Sequence, residues 1–164
     1  MKNILILAFL SLLLGCNGKA QKKEQASEKF EVTKSRAEWK SELTDAQFSV
    51  LREAATERPF SSPLDDVKEP GVFVCAACGK ELYRTEHKFD SGTGWPSFDQ
   101  PIEGAIGMGR QYATGYQSNE VHCARCGGHL GHVFNDGPME TTGKRYCMNG
   151  VAMKFIPDNQ NNKS

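Results

Sequence analysis

Two short cysteine pairs have the spacing that metal coordination requires. One pair is Cys75 and Cys78 in "CAACGK", and the other is Cys123 and Cys126 in "CARCGG". A tetrahedral zinc site needs four thiolates at about 2.3 Å from the metal, and each C-x-x-C turn can supply two of them. The glycine that follows each pair permits a tight backbone turn. The pattern therefore predicts one structural Zn²⁺ site, in which each pair caps a separate hairpin and the metal joins distant strands.

Two other interpretations of these cysteines stay open. Disulfide bonds are compatible with the export signal described below. A C-x-x-C pair can also be a thioredoxin-like redox centre, although the flanking sequence lacks a βαβ pattern. The repeated C-x-x-C-G unit favours metal over both. Because a closed four-cysteine site has no open coordination position, we expect the metal to be structural and not catalytic.

Cys147 stands apart from both pairs. It follows Lys144 and Arg145 closely in "GKRYCMNG". Positive charge near a thiol lowers its pKa from the ordinary value of about 8.5 and increases the fraction of nucleophilic thiolate. The alternative is an inert buried cysteine on a strand, which is a common role for this residue type. Cys147 is therefore a candidate nucleophile.

Loop segments rich in glycine supply further polar and aromatic side chains. They are His129, His132 and Phe134 in "GGHLGHVFNDGP", Trp95 in "SGTGWPSF" and Asn149 in "CMNG". A histidine pair alone can bind a metal or be structural. Histidine, tryptophan and a free thiol on the loops of one small domain more often mark a functional site.

The elements that must position these groups are mostly short strands. "LTDAQFSVLREAATE" predicts one amphipathic helix at the start of the domain, with a capping box formed by Thr44 and Gln47. After Pro59 the sequence consists of short β-branched or aromatic runs separated by glycine, proline, asparagine and aspartate. We predict a mainly β domain of antiparallel strands with long loops.

The N-terminal segment "MKNILILAFLSLLLGC" has the features of an export signal. It contains a basic Lys2 and an apolar run too short to span a bilayer comfortably. "LLGC" resembles the lipobox of bacterial lipoproteins, which predicts a signal peptide at residues 1–15 and lipidation of Cys16. The alternative is an uncleaved apolar segment with a chance cysteine. Residues 16–35 are rich in Lys, Glu, Gln and Ser and predict a flexible tether. We therefore expect a membrane-anchored lipoprotein on the periplasmic or cell-surface side.

The length and charge of the chain set limits on its organisation. A chain of 164 residues suits one domain, which we place at residues 36–158, followed by a disordered tail at 159–164. The formal net charge is zero, with 20 basic and 20 acidic residues, so electrostatics gives no support for a nucleic acid partner.

Three segments closely resemble the B-type methionine sulfoxide reductases, which reduce the R epimer of methionine sulfoxide. They are "KFDSGTGWPSF", "CARCGGHLGHVFNDGP" and "RYCMNGVAMKF", and both C-x-x-C units fit the family as well. The resemblance extends from about Trp39 to Pro157. It implies a β-tent-like fold of two antiparallel β-sheets with an N-terminal helix and a structural zinc site far from the active site.

The resemblance also implies a role for each candidate residue. Cys147 corresponds to the nucleophile, which becomes a sulfenic acid as methionine is released. The residues that would bind and polarise the sulfoxide oxygen are His129, His132 and Asn149. The residues that would form an apolar wall for the S-methyl group are Trp95 and Phe134. Arg145 corresponds to a basic residue beside the nucleophile, and the sequence does not decide which histidine delivers the proton.

One position departs from the family pattern. Many members have "SGCGWPSF", in which the cysteine resolves the sulfenic acid by forming a disulfide with the nucleophile, whereas this chain has Thr93 there. If Cys16 is lipidated and four cysteines bind zinc, only Cys147 is left. We therefore predict that an external thiol reduces its sulfenic acid directly. The donor would be a thioredoxin-like protein of the cell envelope, because cytosolic thioredoxin cannot reach an exported protein.

Two alternatives from other functional classes are kept. The first is a non-catalytic zinc-binding β domain that acts as a chaperone-like or binding module, although such a domain would not need Cys147 together with two histidines and Trp95. The second is a thiol enzyme acting on a peroxide or a disulfide. The expected substrate is an oxidised protein or free methionine sulfoxide, and the expected state is a monomer.

Overall fold

The computed structural model describes residues 29–111 and 119–158. The predicted signal peptide, the lipidation site Cys16 and the predicted tail lie outside these ranges, and the tether is described only from residue 29. Within the described ranges, no helix has the length and apolar character needed to cross a membrane.

Two short helices begin the domain, where the sequence predicted one. Helix α1 spans Arg36–Glu42, and helix α2 spans Asp45–Glu53. In each, the N-cap hydroxyl and the side chain three residues later bond reciprocally to the backbone of the first turn. The predicted Thr44–Gln47 box is confirmed. The box at Ser35–Glu38 was missed, although it has the same form.

The described residues also form nine strands in two sheets. The strands are β1 (Gly71–Cys75), β2 (Glu81–Arg84), β3 (Lys88–Phe89), β4 (Ser97–Phe98), β5 (Ile106–Gln111), β6 (Asn119–Cys123), β7 (His129–Phe134), β8 (Arg145–Met148) and β9 (Met153–Pro157). A three-stranded sheet has the order β2-β1-β9, and a six-stranded sheet has the order β3-β4-β8-β7-β6-β5. All neighbouring strands are antiparallel. The predicted fold class of two antiparallel sheets is confirmed.

Aromatic packing joins the two sheets. Phe73 in β1 and Tyr83 in β2 are fully buried and contact Phe98 in β4, with ring centroids 5.0 and 4.3 Å away. Each such pair contributes about 0.5–1.5 kcal/mol beyond its buried area. Because β4 pairs directly with β8, this packing fixes the strand that carries Cys147 against the three-stranded sheet.

Candidate active site and metal centre

The four paired cysteines meet where the two sheets adjoin. Cys75 ends β1 and Cys78 follows in the turn to β2, while Cys123 ends β6 and Cys126 follows in the turn to β7. The sulfurs of Cys75 and Cys126 are 3.8 Å apart, and those of Cys78 and Cys123 are 3.5 Å apart. All four sulfurs lie within 4.8 Å of one another. Each pair therefore caps its own hairpin, as predicted, and the cluster links the two sheets.

These distances fit one tetrahedral ion. Four thiolates at about 2.3 Å from a metal lie about 3.8 Å from one another at tetrahedral angles. No disulfide joins the described cysteines, so the disulfide interpretation does not hold for these four. Hydrogen bonds within the cluster lower the pKa values of the Cys78 and Cys126 thiols, to about 7 for Cys78, and raise those of Cys75 and Cys123, so the four thiols share their protons. The cluster is arranged as a closed, structural metal site.

Cys147 lies on an interior strand of the six-stranded sheet. In the strand register it pairs with Ser97 of β4 on one side and with His132 of β7 on the other. The hydroxyl of Thr93, at the position where many family members have the resolving cysteine, is 3.9 Å from the Cys147 sulfur. The backbone around the thiol is thus held on both sides.

A small cavity of about 130 Å³ opens at Cys147. Its lining consists of Thr56, Trp95, Gly131, His132, Phe134, Cys147 and Asn149. The volume is well below the roughly 300–1,000 Å³ that is usual for small-molecule sites, so it suits one amino-acid side chain. The structure therefore brings five of the predicted site residues together. His129 and Arg145 lie outside the lining, as do the four clustered cysteines.

Arg145 acts on the site from behind Phe134. Its guanidinium donates two hydrogen bonds to Asp136, at 2.9 and 2.7 Å, and its central carbon is 4.4 Å from the centroid of the Phe134 ring. The side chain thus holds Phe134 in place, while Asp136 compensates much of its charge. Lys144, the other basic neighbour of Cys147 in sequence, is exposed.

Burial raises the pKa of the Cys147 thiol. Hydrogen bonds with Thr93 and Ser97, together with the charge and hydrogen bonding of Arg145, lower this pKa, but burial is the largest effect. The prediction that neighbouring positive charge lowers the pKa overall is therefore wrong. Arg145 acts in the predicted direction, and removal of the thiolate from water outweighs it.

The two histidines occupy different positions. His132 lines the cavity, and burial lowers its pKa, with His129 acting in the same direction. His129 is buried, its ring centroid is 5.3 Å from that of His132, and its Nδ1 is 2.8 Å from a carboxylate oxygen of Glu120. Such a contact favours the tautomer with its proton on Nδ1. Within the described residues, Nε2 of His129 has no hydrogen-bond partner.

Asn149 is held at both ends of its amide group. Its oxygen accepts a hydrogen bond of 2.9 Å from the backbone N–H of Glu57, and its Nδ2 donates one of 3.0 Å to the carbonyl of Leu130. An amide nitrogen carries two hydrogens, so one N–H is left for a ligand in the cavity that Asn149 lines.

Glu57 holds three parts of the site together and was missed in the sequence. Its carbonyl accepts a hydrogen bond of 3.2 Å from the Trp95 indole, and its N–H donates to Asn149. Its carboxylate accepts hydrogen bonds of 2.6 and 2.9 Å from the N–H groups of Gly150 and Val151. A single glutamate in "ATERP" belongs to no spacing pattern, so the sequence offered no direct indication.

Thr56 and Glu120 were also missed. Thr56 lines the cavity from the loop after α2, and Glu120 reaches His129 from the neighbouring strand β6. Thr56 reaches residues far away in the chain, whereas Glu120 contacts a residue of the next strand. Only the alternation of side chains along β6 could have drawn attention to Glu120.

The two-sheet fold places a thiol beside histidine, asparagine and tryptophan, an arrangement that suits an enzyme using a nucleophilic cysteine. Residues 43–157 match the SelR domain family. The peptide methionine sulfoxide reductase MsrB of Methanosarcina barkeri is 54% identical over 126 residues, which cover 76% of this chain and 87% of that protein. The chain belongs to this family of B-type methionine sulfoxide reductases. It is an enzyme, a peptide-methionine (R)-S-oxide reductase.

Other relatives give the same result. The MsrB protein of Leifsonia xyli subsp. xyli is 47% identical over 132 residues, covering 80% of this chain and 95% of that protein. The MsrB protein of Bradyrhizobium diazoefficiens is 50% identical over 127 residues, covering 77% and 91%. Among solved structures, the Mis18 "Yippee-like" domain aligns with a TM-score of 0.42 and 18% identity, covering 54% of this chain and 96% of that one. A similarity this limited supports no conclusion about the present chain.

Proposed function

We propose that the enzyme reduces methionine (R)-sulfoxide in oxidised proteins through a sulfenic acid on Cys147, in a cycle that uses this one cysteine. The observation that carries the proposal is the meeting of Cys147, His132 and Trp95 around a cavity sized for one side chain. The same cavity is lined by Asn149, whose amide is already oriented by the backbone.

In the first step, the Cys147 thiolate attacks the substrate sulfoxide. A bond forms between the cysteine sulfur and the oxygen, the bond between that oxygen and the methionine sulfur breaks, and one proton is taken up. The cysteine sulfur loses two electrons, and the methionine sulfur gains them. The products are methionine and Cys147 sulfenic acid.

The oxygen of the substrate meets two polar groups in this scheme. His132 is the acid, because it is the histidine that lines the cavity beside Cys147. Asn149 supplies its remaining N–H. His129 lies outside the lining and acts on His132 through the ring contact, with its own orientation fixed by Glu120.

The methyl group of the substrate faces Trp95 and Phe134. Both rings are held from outside the cavity, Trp95 by the carbonyl of Glu57 and Phe134 by Arg145. Exchanging the methyl group and the oxygen would place a polar oxygen against these rings without a donor, which costs free energy. This difference accounts for selection of the R epimer.

An external thiol completes the cycle. Apart from Cys147, the described residues contain only the four clustered cysteines, and the Thr93 hydroxyl lies 3.9 Å from the Cys147 sulfur. A donor thiol condenses with the sulfenic acid to give a mixed disulfide and water, and a second thiol releases Cys147 and leaves as a disulfide. A thioredoxin-like protein of the cell envelope fits this chemistry.

Two further parts of the proposal concern the metal and the location. An all-thiolate tetrahedral set is the donor set that Zn²⁺ favours, so Zn²⁺ is the proposed ion at the four cysteines. The lipobox-like segment supports a lipid anchor on Cys16 and an enzyme that works at the cell envelope.

The test follows the R and S epimers of methionine sulfoxide separately during reduction by dithiothreitol. The metal-loaded protein and its Cys147→Ser variant are compared, and one turnover without reductant is analysed by mass spectrometry with a sulfenic acid trap. We expect selective loss of the R epimer, no activity in the variant and a trapped adduct on Cys147. An intramolecular disulfide to Cys147 in protein of full metal content would refute the one-cysteine cycle.

A further inference from the structure

A larger depression adjoins the catalytic cavity. It has a volume of about 630 Å³ and lies between α2, the loop of residues 55–64 and the turn at Gly150–Ala152. Thr56 lines both this depression, called the flanking groove below, and the catalytic cavity. The flanking groove is roughly five times larger than the cavity, so it has room for several side chains.

The position of the flanking groove is important because the proposed substrate is a methionine sulfoxide within a protein. The catalytic cavity holds one side chain, so the residues on either side of an oxidised methionine must lie against the surface around it. The flanking groove is directly next to that point. The groove wall is also preformed, since the Glu57 carboxylate bonds to the N–H groups of Gly150 and Val151.

The lining of the flanking groove is chemically distinctive. Its apolar surface comes from the half-buried Leu64 and Val151, while Val50 and Met153, which are also in the lining, are buried. Two charged side chains contribute, Glu57 and Arg58. Glu57 is engaged by backbone N–H groups, whereas Arg58 is exposed and, within the described residues, its guanidinium forms no hydrogen bond or ion pair. The charge available to a ligand is therefore positive.

We propose that the flanking groove binds the polypeptide next to the oxidised methionine, and that Arg58 makes the enzyme prefer acidic residues there. The occupant is an extended segment of an oxidised protein, with apolar side chains against Leu64 and Val151 and a carboxylate near Arg58. This inference rests on the proposed function and names the substrate context that the site selects.

The test compares three substrates that carry the same methionine (R)-sulfoxide. One is the N-acetyl amide, which has no flanking residues. The other two are peptides with leucine and aspartate, or leucine and lysine, on both sides of the sulfoxide. Values of kcat/KM are measured at low salt for the wild type, Arg58→Glu and Lys40→Glu. Lys40 is an exposed residue of α1 outside the groove, and its substitution changes the net charge equally.

We expect the wild type to reduce the aspartate peptide about threefold more efficiently than the lysine peptide, which is the scale of one exposed charge pair. Arg58→Glu should reverse this ratio, and Lys40→Glu should leave it unchanged. Equal values for the two peptides, a preference for lysine in the wild type, or a preference that Arg58→Glu does not alter would overturn the groove proposal. Failure to reduce any of the three substrates would instead count against the proposed function, so the two failures are distinguishable.

Discussion

Replacement of Glu57 by alanine should disturb the site without removing any group proposed to touch the reacting atoms. The Glu57 carboxylate accepts hydrogen bonds from the N–H groups of Gly150 and Val151, at 2.6 and 2.9 Å. Hydrogen bonds to a charged group contribute about 1.5–3 kcal/mol each. Because Glu57 is half-buried, water can replace part of the lost hydrogen bonding in the variant. We therefore expect a total loss of about 2–4 kcal/mol in the free energy of unfolding.

The effect on catalysis has a separate origin. The backbone of residue 57 contacts both Asn149 and the Trp95 indole, and the carboxylate is what anchors this loop to the turn after Asn149. A misplacement of catalytic groups by about 1 Å can lower a rate by about 100-fold. We therefore expect kcat for the (R)-sulfoxide to fall by roughly 10- to 100-fold. Glu57→Gln, which keeps one acceptor oxygen, should show a smaller loss.

The assay combines steady-state kinetics with thermal unfolding. For Glu57→Ala we expect a melting temperature lowered by roughly 10 °C, measured on metal-loaded protein. Glu53→Ala is the matched control, since Glu53 ends α2 and forms an exposed ion pair with Arg36. Such a pair contributes at most about 1 kcal/mol. A Glu57→Ala variant with a lowered melting temperature but a wild-type kcat would refute the positioning argument and leave Glu57 a purely stabilising residue.

Three further outcomes are expected. Thr93→Cys should form an intramolecular disulfide with Cys147 after one turnover, because the side chain at 93 contacts the nucleophile, and persistence of the sulfenic acid by mass spectrometry would contradict this. Glu120→Gln should lower the His132 pKa further, because the Glu120 charge raises it. The high-pH limb of the profile of kcat against pH, where a general acid loses its proton, should therefore move to lower pH, and an upward shift of this limb would disprove the assignment of His132 as acid. Removal of the metal by a chelator, or substitution Cys78→Ser, should lower the melting temperature by more than about 10 °C, since a structural zinc site contributes several kcal/mol to folding. Metal analysis and calorimetry on the same samples measure this. An unchanged melting temperature in metal-free protein would contradict a structural role.

The fold class and the metal centre were accessible from sequence because their determinants are local. A C-x-x-C turn brings two sulfurs to one side whatever the rest of the chain does, so two such turns are enough to predict a shared ion. Short β-branched runs bounded by turn residues likewise predict strands. The missed helix α1 shows the limit of this approach, because its amphipathic segment is short and only its capping box marks it.

Most residues of the candidate site could be predicted from sequence motifs, but the pKa of its thiol could not. Cys147, His132 and Trp95 stand in segments that resemble a family, whereas Glu57 and Thr56 reach the site only through the folded arrangement. The pKa of Cys147 depends on how much water the fold removes, and a basic residue two positions away gives no measure of that. A charged neighbour in the sequence indicates the direction of one effect on the thiol pKa, while the extent of burial decides the net direction of the shift.

The interior position of β8 has a kinetic consequence for the proposed one-cysteine cycle. Hydrogen bonds to β4 and β7 on both sides fix the backbone at Cys147, so the oxidised sulfur cannot move out to meet a donor. The donor thiol must enter the same small cavity that the substrate occupied. Methionine must therefore leave before the donor reacts. The sulfoxide reacts with the reduced enzyme, and the donor reacts with the oxidised enzyme. Such a cycle gives ping-pong kinetics, in which a high sulfoxide concentration inhibits turnover by occupying the oxidised cavity that the donor needs.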